Sequence, residues 1–293
     1  MIFRKDEYGD FQTPEDYALH LTRLVRRRGV HPKTVLEPTC GVGSFLFAAA
    51  KVFDGSNLLG FDINPTYVAE ARKIRRATVA KSDFFSIDWP QLISMQKGPV
   101  LFLGNPPWVT NSAVGSLLGN NLPVKSNLKG LRGFDAISGK SNFDISEWML
   151  IRLLESLQLG GGWVAFLCKS SVARKILQHA SAKNLAFARG EIYQINAQKV
   201  FNAAVDACFF IFKVAPGICD YRIKVYESVE SKEPGSIIAI NGEHLVANLD
   251  LFESSRELAG SSRGKWRSGI KHDCSKVMEL RASARGLENG LGE

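Results

Sequence analysis

The segment Thr34-Val35-Leu36-Glu37-Pro38-Thr39-Cys40-Gly41-Val42-Gly43-Ser44-Phe45 decides how the rest of the chain is read. Thr34–Leu36 has the short, β-branched and apolar character of a buried strand, and Glu37-Pro38 ends it. A helix is expected from about Ser44 to Val52. A strand that passes through a glycine turn into a helix offers unpaired backbone N–H groups, and glycine admits close approach of a ligand. The dinucleotide form of such a loop requires Gly-x-Gly-x-x-Gly, but Leu46 stands at the last position. With the acidic Glu37 ahead of the loop, a ligand carrying a sulfonium or ammonium charge is a better match than a pyrophosphate.

Outward from this loop, short apolar runs alternate with helical periods. Leu58–Asp62 reads as a second strand, with Pro65 in the first turn of the next helix. Ala77–Ser82 and Val100–Leu103 read as the third and fourth strands. Ile145–Leu157 has helical spacing (Trp148, Ile151, Leu154, Leu157) and stops at Gly160-Gly161-Gly162. Trp163–Leu167 gives a fifth strand, and Glu191–Ile195 with Ala207–Val214 a closing pair. The expectation is an α/β fold: a doubly wound, mostly parallel, seven-stranded, Rossmann-like sheet with an antiparallel last strand. Residues 1–215 would form this domain, and residues 216–293 a small C-terminal extension holding short strands at Tyr221–Val225 and Ser236–Ile240.

Length and composition bound the function. The 293 residues, 45% hydrophobic and 23% charged, suffice for one large α/β domain and an appendage. No apolar run approaches the roughly 20 residues of a membrane span, and MIFRKDEYGDF has no signal-peptide core. Five cysteines without a CxxC pair argue against a disulfide framework or a zinc site and fit a reducing cytoplasm. The net charge of +8 favours a polyanionic partner. That charge gathers at Arg26–Arg28, at Lys125, Lys129, Arg132 and Lys140, and again at Arg263, Lys265, Arg267, Lys271 and Lys276. The second of these clusters falls in an aperiodic stretch, Thr110–Asn142, too long to be a plain connection.

Two constellations carry chemistry. Around the glycine loop (Glu37, Pro38, Thr39, Gly41, Gly43), Asp62 ends the second strand about 20 residues on, where a carboxylate accepts from ribose hydroxyls, with Ile63 beside it. Asp83-Phe84 ends the third strand and offers a carboxylate and a ring to an adenine. The second constellation is Asn105-Pro106-Pro107-Trp108, which follows the fourth strand. In a doubly wound sheet that strand lies beside the first, where strand order reverses, so both loops open into one crevice. The prolines fix φ and remove two N–H donors, leaving the Asn105 side-chain oxygen and the backbone carbonyls of Asn105 and Pro106 as an acceptor cluster. Such a cluster holds the hydrogens of an aromatic amine and stabilises the charge that develops when its nitrogen is alkylated. Trp108 offers a stacking face worth roughly 1–3 kcal/mol per base, although a rigid Pro-Pro turn over a core tryptophan gives the same sequence.

In this order, these motifs resemble the gamma-type adenine-N6 DNA methyltransferases, with their nucleoside loop, two acidic strand ends and an (N/D)PP(Y/F/W) tetrapeptide. Gly9-Asp10-Phe11-Gln12-Thr13-Pro14 is similar to the family's N-terminal motif, which implies that Phe11, Thr13 and Pro14 contribute to the methionine portion of the cofactor. Val200-Phe201 is similar to a later motif whose aromatic meets the flipped base, although Phe201 also reads as hairpin core. The resemblance covers roughly residues 9–214. It implies a class I fold, S-adenosyl-L-methionine as cofactor, double-stranded DNA as partner and a restriction–modification setting. Protein-glutamine and RNA guanine-N2 methyltransferases share the tetrapeptide and remain alternatives, as does a cofactor-binding piece that needs a missing recognition domain or partner subunit. Trp266–Asp273 is expected to begin such a target-recognition region, with the chain cut within a longer protein. Cys40 reads as a packing residue, and the contiguous His272-Asp273-Cys274 as poor metal-ligand spacing.

Overall fold

A computed structural model describes residues 12–108 and 144–256, with the backbone of Arg281–Ser283 and Gly286–Glu288. Phe11, the Thr110–Asn142 stretch, its lysines, the C-terminal basic cluster and His272-Asp273-Cys274 lie outside the described residues.

In the unit Met1–Glu253, helix α1 (Glu15–Arg27) precedes an alternation of strands and helices. The strands are β1 (Thr34–Glu37), β2 (Asn57–Asp62), β3 (Ala77–Lys81), β4 (Val100–Gly104) and β5 (Gly162–Lys169). Between them run α2 (Ser44–Val52), α3 (Pro65–Ala71), α4 (Trp89–Ser94) and α5 (Ile145–Ser156). Then follow α6 (Ser170–Ala182), β6 (Arg189–Ile195), α7 (Ala197–Phe201) and β7 (Ala207–Val214). The sheet continues with β8 (Arg222–Tyr226), β9 (Ser236–Asn241) and β10 (His244–Val246), and α8 (Leu249–Ser254) closes the run.

Among the described residues the sheet has ten strands in the order β10-β9-β8-β6-β7-β5-β4-β1-β2-β3. Strands β1 to β5 pair in parallel, and β7 inserts antiparallel between β5 and β6. The expected seven-stranded sheet with its antiparallel strand is therefore present, and three further strands extend it. The 215/216 division drawn from the sequence falls inside this continuous sheet, because β8 pairs in parallel with β6 from Gly190↔Ile223 to Tyr193↔Tyr226. In the unit Ser254–Glu293, the described backbone is a two-stranded antiparallel ladder, β11 (Arg281–Ser283) with β12 (Gly286–Glu288).

Both faces of the central strands are buried, which explains why they read as continuous apolar runs. On β5, Val164, Phe166 and Cys168 join one core layer, and Ala165 and Leu167 the other. The first layer is completed by α4, α5 and α6 through residues such as Trp89, Leu153 and Ile176. The second is completed by α1, α2 and α3 through Leu21, Phe45 and Val68. Among the described residues no helix is long and apolar enough to cross a membrane.

The first basic cluster divides. Arg26 and Arg27 are exposed, but Arg28 closes an ion pair with Glu191, its Nη2 lying 2.7 Å from Oε1. Arg28 Nη2 also donates to the Tyr226 hydroxyl at 2.7 Å, and Arg189 Nε donates to Glu191 Oε1 at 2.8 Å. Glu191 is only 1% exposed, so two guanidinium groups and the Tyr193 hydroxyl (2.9 Å) compensate its buried charge. Burial pushes its carboxyl up, and the hydrogen bonds from Arg28 and Arg189 overcome this, so the net shift is below the usual value of 4.5. A depressed folded-state value stabilises the fold above that unfolded value, and the stability is lost as pH falls through the folded one. Arg28→Ala is expected to cost about 3 kcal/mol and to raise the pH of acid unfolding, both measurable by urea titration across the acid range.

Candidate functional site

The glycine loop is shaped first by the protein itself. Gly43, the residue before α2, has φ 95°, and Gly41 has φ 51°. A Cβ on Gly43 would stand 2.6 Å from Ile74 Cδ1 and 3.2 Å from Ala71 Cβ. On Gly41 it would stand 2.6 Å from Gln12 Oε1. Both positions therefore favour glycine whether or not a ligand approaches, since positive φ strains other residues there. Gln12 Oε1 also accepts from Val42 N at 3.3 Å, fastening the segment ahead of α1 to the loop.

The three acidic strand ends organise the same region. Glu37, buried at the end of β1 beside Pro38, accepts from Leu46 N at 2.9 Å, one turn into α2. Burial pushes its carboxyl well above the usual range, the bond from Leu46 opposes this, and the Asp62 charge adds to it. Asp62, at the end of β2, accepts from Gly41 N through Oδ2 and from Asn64 N through Oδ1, both at 2.8 Å. Each carboxylate oxygen can accept a second hydrogen bond, so holding the loop does not exhaust this group. Asp83 caps the short 3-10 turn Phe84–Ser86 by accepting from Phe85 N at 2.9 Å.

Next to Asp62, Ile63 is 40% exposed, an apolar surface beside a carboxylate. Phe84 lies inward instead. It is buried, with its ring centroid 4.9 Å from Trp89 and 5.4 Å from Phe85, while Phe85 meets Trp148 at 4.8 Å. Thr39 is half-buried in the loop. Cys40 is buried, and burial together with the Glu37 and Asp62 charges pushes its thiol up, away from nucleophilic character.

The tetrapeptide after β4 meets this loop from the neighbouring strand. β4 pairs in parallel with β1 from Thr34↔Val100 to Leu36↔Phe102, so Asn105 and the Pro38–Gly43 turn leave adjacent strands at the same edge. Asn105 is half-buried, Pro106 buried and Pro107 half-buried. Asn105 Nδ2 donates to the buried Thr13 Oγ1 at 3.3 Å, and Pro14 then caps α1. Trp108 is 5% exposed, and its Nε1 donates to Leu167 O at 3.4 Å. Its ring meets Phe201 edge-on at 5.3 Å and 73°, and Phe201 in turn meets Tyr17 at 6.4 Å. Trp108 is thus packed into the core layer that contains α1 and α2, with the half-buried Phe201 at its edge.

The structure therefore brings Thr13, Glu37, Gly41, Gly43, Asp62 and Asn105 together at the carboxyl ends of β1, β2 and β4. Gln12, within the N-terminal motif but given no role from the sequence, joins them at the glycine loop, and Tyr17 meets the ring of Phe201. Gln12 stands next to Thr13, and Tyr17 falls one helical turn after it, spacings visible in the sequence only once α1 is recognised. Among the described residues no group of His, Cys, Asp and Glu is arranged to hold a metal ion.

No protein-family model matches the chain. The chain is 40% identical over 297 aligned residues to the Type II methyltransferase M.NspV of Nostoc sp. (strain ATCC 29411 / PCC 7524). That alignment covers 99% of this chain and 62% of the relative, so the chain spans less than two thirds of that protein. It is 33% identical over 79 residues to the Type II methyltransferase M.CvrRI of Paramecium bursaria Chlorella virus XZ-6E, covering 27% and 19% of the two chains. Among solved structures, the Type IIL restriction-modification enzyme MmeI in complex with DNA is 16% identical, covers 80% of this chain and 37% of that one, and has a TM-score of 0.46.

Because the loop's glycines answer to packing, Gly43→Ala is expected to lower stability by about 1–3 kcal/mol through its positive φ and the contact with Ile74. A shift of the urea midpoint at unchanged slope measures this directly.

Proposed function

We propose that this chain, similar along nearly its whole length to one type II methyltransferase, is an S-adenosylmethionine-dependent DNA methyltransferase acting on N6 of a flipped-out adenine within a restriction–modification system. The observation that carries this reading is the β1–β4 edge, where a nucleoside-type loop with acidic strand ends meets an amine-holding tetrapeptide. Adenine-N6 as the target rests on the resemblance of the tetrapeptide and N-terminal motif.

S-adenosylmethionine, when bound, supplies an activated methyl group on a positively charged sulfur. The residues present suit it, since carboxylates at consecutive strand ends match hydroxyl and amino donors. Asp62 would accept from the ribose hydroxyls, with Ile63 lending an apolar surface beside it. Asp83 would accept from the adenine amino group, while Phe84 supports that wall from within the core. Thr13 and Pro14 would line the methionine side, as the family resemblance implies. Glu37 would meet the cofactor's positive charge. Double-stranded DNA must release the target base from its stack, at a cost of a few kcal/mol. The Asn105 side-chain oxygen and the Pro106 carbonyl then accept the two N6 hydrogens. This keeps the nitrogen lone pair directed at the methyl and stabilises the charge that develops there. Trp108, Pro107 and Phe201 frame the base, with Phe201 the more accessible ring and Trp108 mainly fixing the tetrapeptide against Leu167.

Transfer of labelled methyl groups to DNA, RNA and protein, followed by nucleoside and amino-acid analysis, tests the reading. Label in N6-methyladenine is expected, and label confined to guanine or glutamine rejects it. Asn105→Ala should lower turnover by about 10²–10³-fold, the typical cost of removing one charge-stabilising group, with cofactor affinity intact. If the chain binds cofactor but methylates only as part of a chain of the relative's length, the additional residues of that longer chain supply DNA engagement.

Glu37 gives a second test. Its folded value is raised above the unfolded 4.5, so its contribution to stability is present below 4.5 and is lost as pH rises through the folded value. A bound cation favours the carboxylate. Binding should therefore release a proton and strengthen as pH rises from the ligand-bound to the ligand-free value. Calorimetry in buffers of different ionisation enthalpy should reveal this release in the native protein and its loss in Glu37→Gln.

A further inference from the structure

Two consecutive residues ahead of α1 each reach a different loop of the crevice. Gln12 accepts from Val42 N at 3.3 Å on the loop after β1, and Thr13 accepts from Asn105 Nδ2 at 3.3 Å on the loop after β4. The segment is anchored behind by α1, which Arg28 ties to Glu191 on β6. Thr13 is buried, so its hydroxyl interacts with Asn105 away from bulk water, where a hydrogen bond is strengthened.

The two ends of a carboxamide have nearly the same shape and opposite chemistry, since the oxygen only accepts and the NH2 only donates. An exocyclic amine that must give up two hydrogens needs the oxygen. If the Asn105 amide turned over, donors would face donors and the amine would be repelled. We propose that Thr13 is a positioning residue that fixes the Asn105 carboxamide by accepting from Nδ2, the arrangement in which the Oδ1 end meets the target amine. This inference rests on the methyltransferase reading above and gives Thr13 a role separate from the methionine side of the cofactor. Thr13 acts on the reaction through Asn105 and forms no bond to the reacting atoms.

The experiment compares Thr13→Val, which keeps the shape and removes the hydroxyl, with Thr13→Ser, which keeps the hydroxyl. Thr13→Val should lower kcat by about 10–100-fold, the scale of a misplaced reacting group. Turnover is compared on folded protein at saturating cofactor, and Thr13→Ser should recover the lost turnover. In an Asn105→Ala background there is no side chain to position, and Thr13→Val should add no further loss to the residual turnover. Equal loss in that background, or unchanged kcat, would each overturn the proposal. If neither this chain nor a chain of the relative's length transfers methyl to DNA, it is the functional reading that falls. The Thr13–Asn105 pairing is then judged by the Asn105 side-chain amide resonances, identified by their disappearance in Asn105→Asp. A shift in Thr13→Val but not in Thr13→Ser supports the pairing, and identical spectra reject it. Should Thr13→Val fail to fold, Thr13→Ala carries the same comparison.

Discussion

The parallel pairing of β1 with β4 is the constraint on which the rest of the site depends. The chain builds β1, β2 and β3 outward in one direction, then returns to place β4 on the other flank of β1. At that reversal the connections leaving β1 and β4 cannot cover each other, and a crevice opens above the strand ends. Glu37 and Asn105 lie far apart in sequence and become neighbours only through this register. The pairing is also hard to slip, because a one-residue shift would exchange the two core layers on β4, moving Phe102 to the face of Leu101 and Leu103.

Within the crevice, the groups that suit a ligand are first of all parts of the fold. Glu37, Asp62 and Asp83 each accept a backbone N–H from their own loop or the helix that follows. This preorganises them, because side chains already bound to the backbone lose little freedom when a ligand arrives. The same holds for the glycines, whose missing side chains make room for Ile74 and Gln12. A loop stabilised in this way keeps its shape without a ligand, and its acidic groups remain able to take further donors.

The helix α1 and the buried ions around Glu191 extend this rigidity to the far side of the molecule. Arg28 at the end of α1 reaches β6 through Glu191 and β8 through Tyr226, whose ring stacks on Tyr193 at 4.5 Å. What reads in sequence as one run of three surface arginines therefore has two roles, with Arg26 and Arg27 facing solvent and Arg28 locking a joint. Trp108 is a similar case. A ring that suits stacking on a base is packed in the core beside Phe201, so its main physical effect is to fix the tetrapeptide in place.

The sequence by itself determined the elements and their chemistry. The third strand expected at Ala77–Ser82 occurs at Ala77–Lys81, and the helix expected at Ile145–Leu157 occurs at Ile145–Ser156. These are legible because strand burial, helical periodicity and glycine stops are local properties, and the glycine loop, acidic strand ends and tetrapeptide are contiguous motifs. Helices α1 and α6 carry the same periodicity, in Ala18, Leu21 and Val25 and in Val172, Ile176 and Ala180. Tertiary structure alone decided the continuation of the sheet through β8, the inward turn of Phe84 and Trp108, and the pairings of Arg28 with Glu191 and Thr13 with Asn105. The reason is physical: a side chain's composition gives what it can bind, whereas its partner depends on which distant strands the sheet register brings within hydrogen-bonding reach.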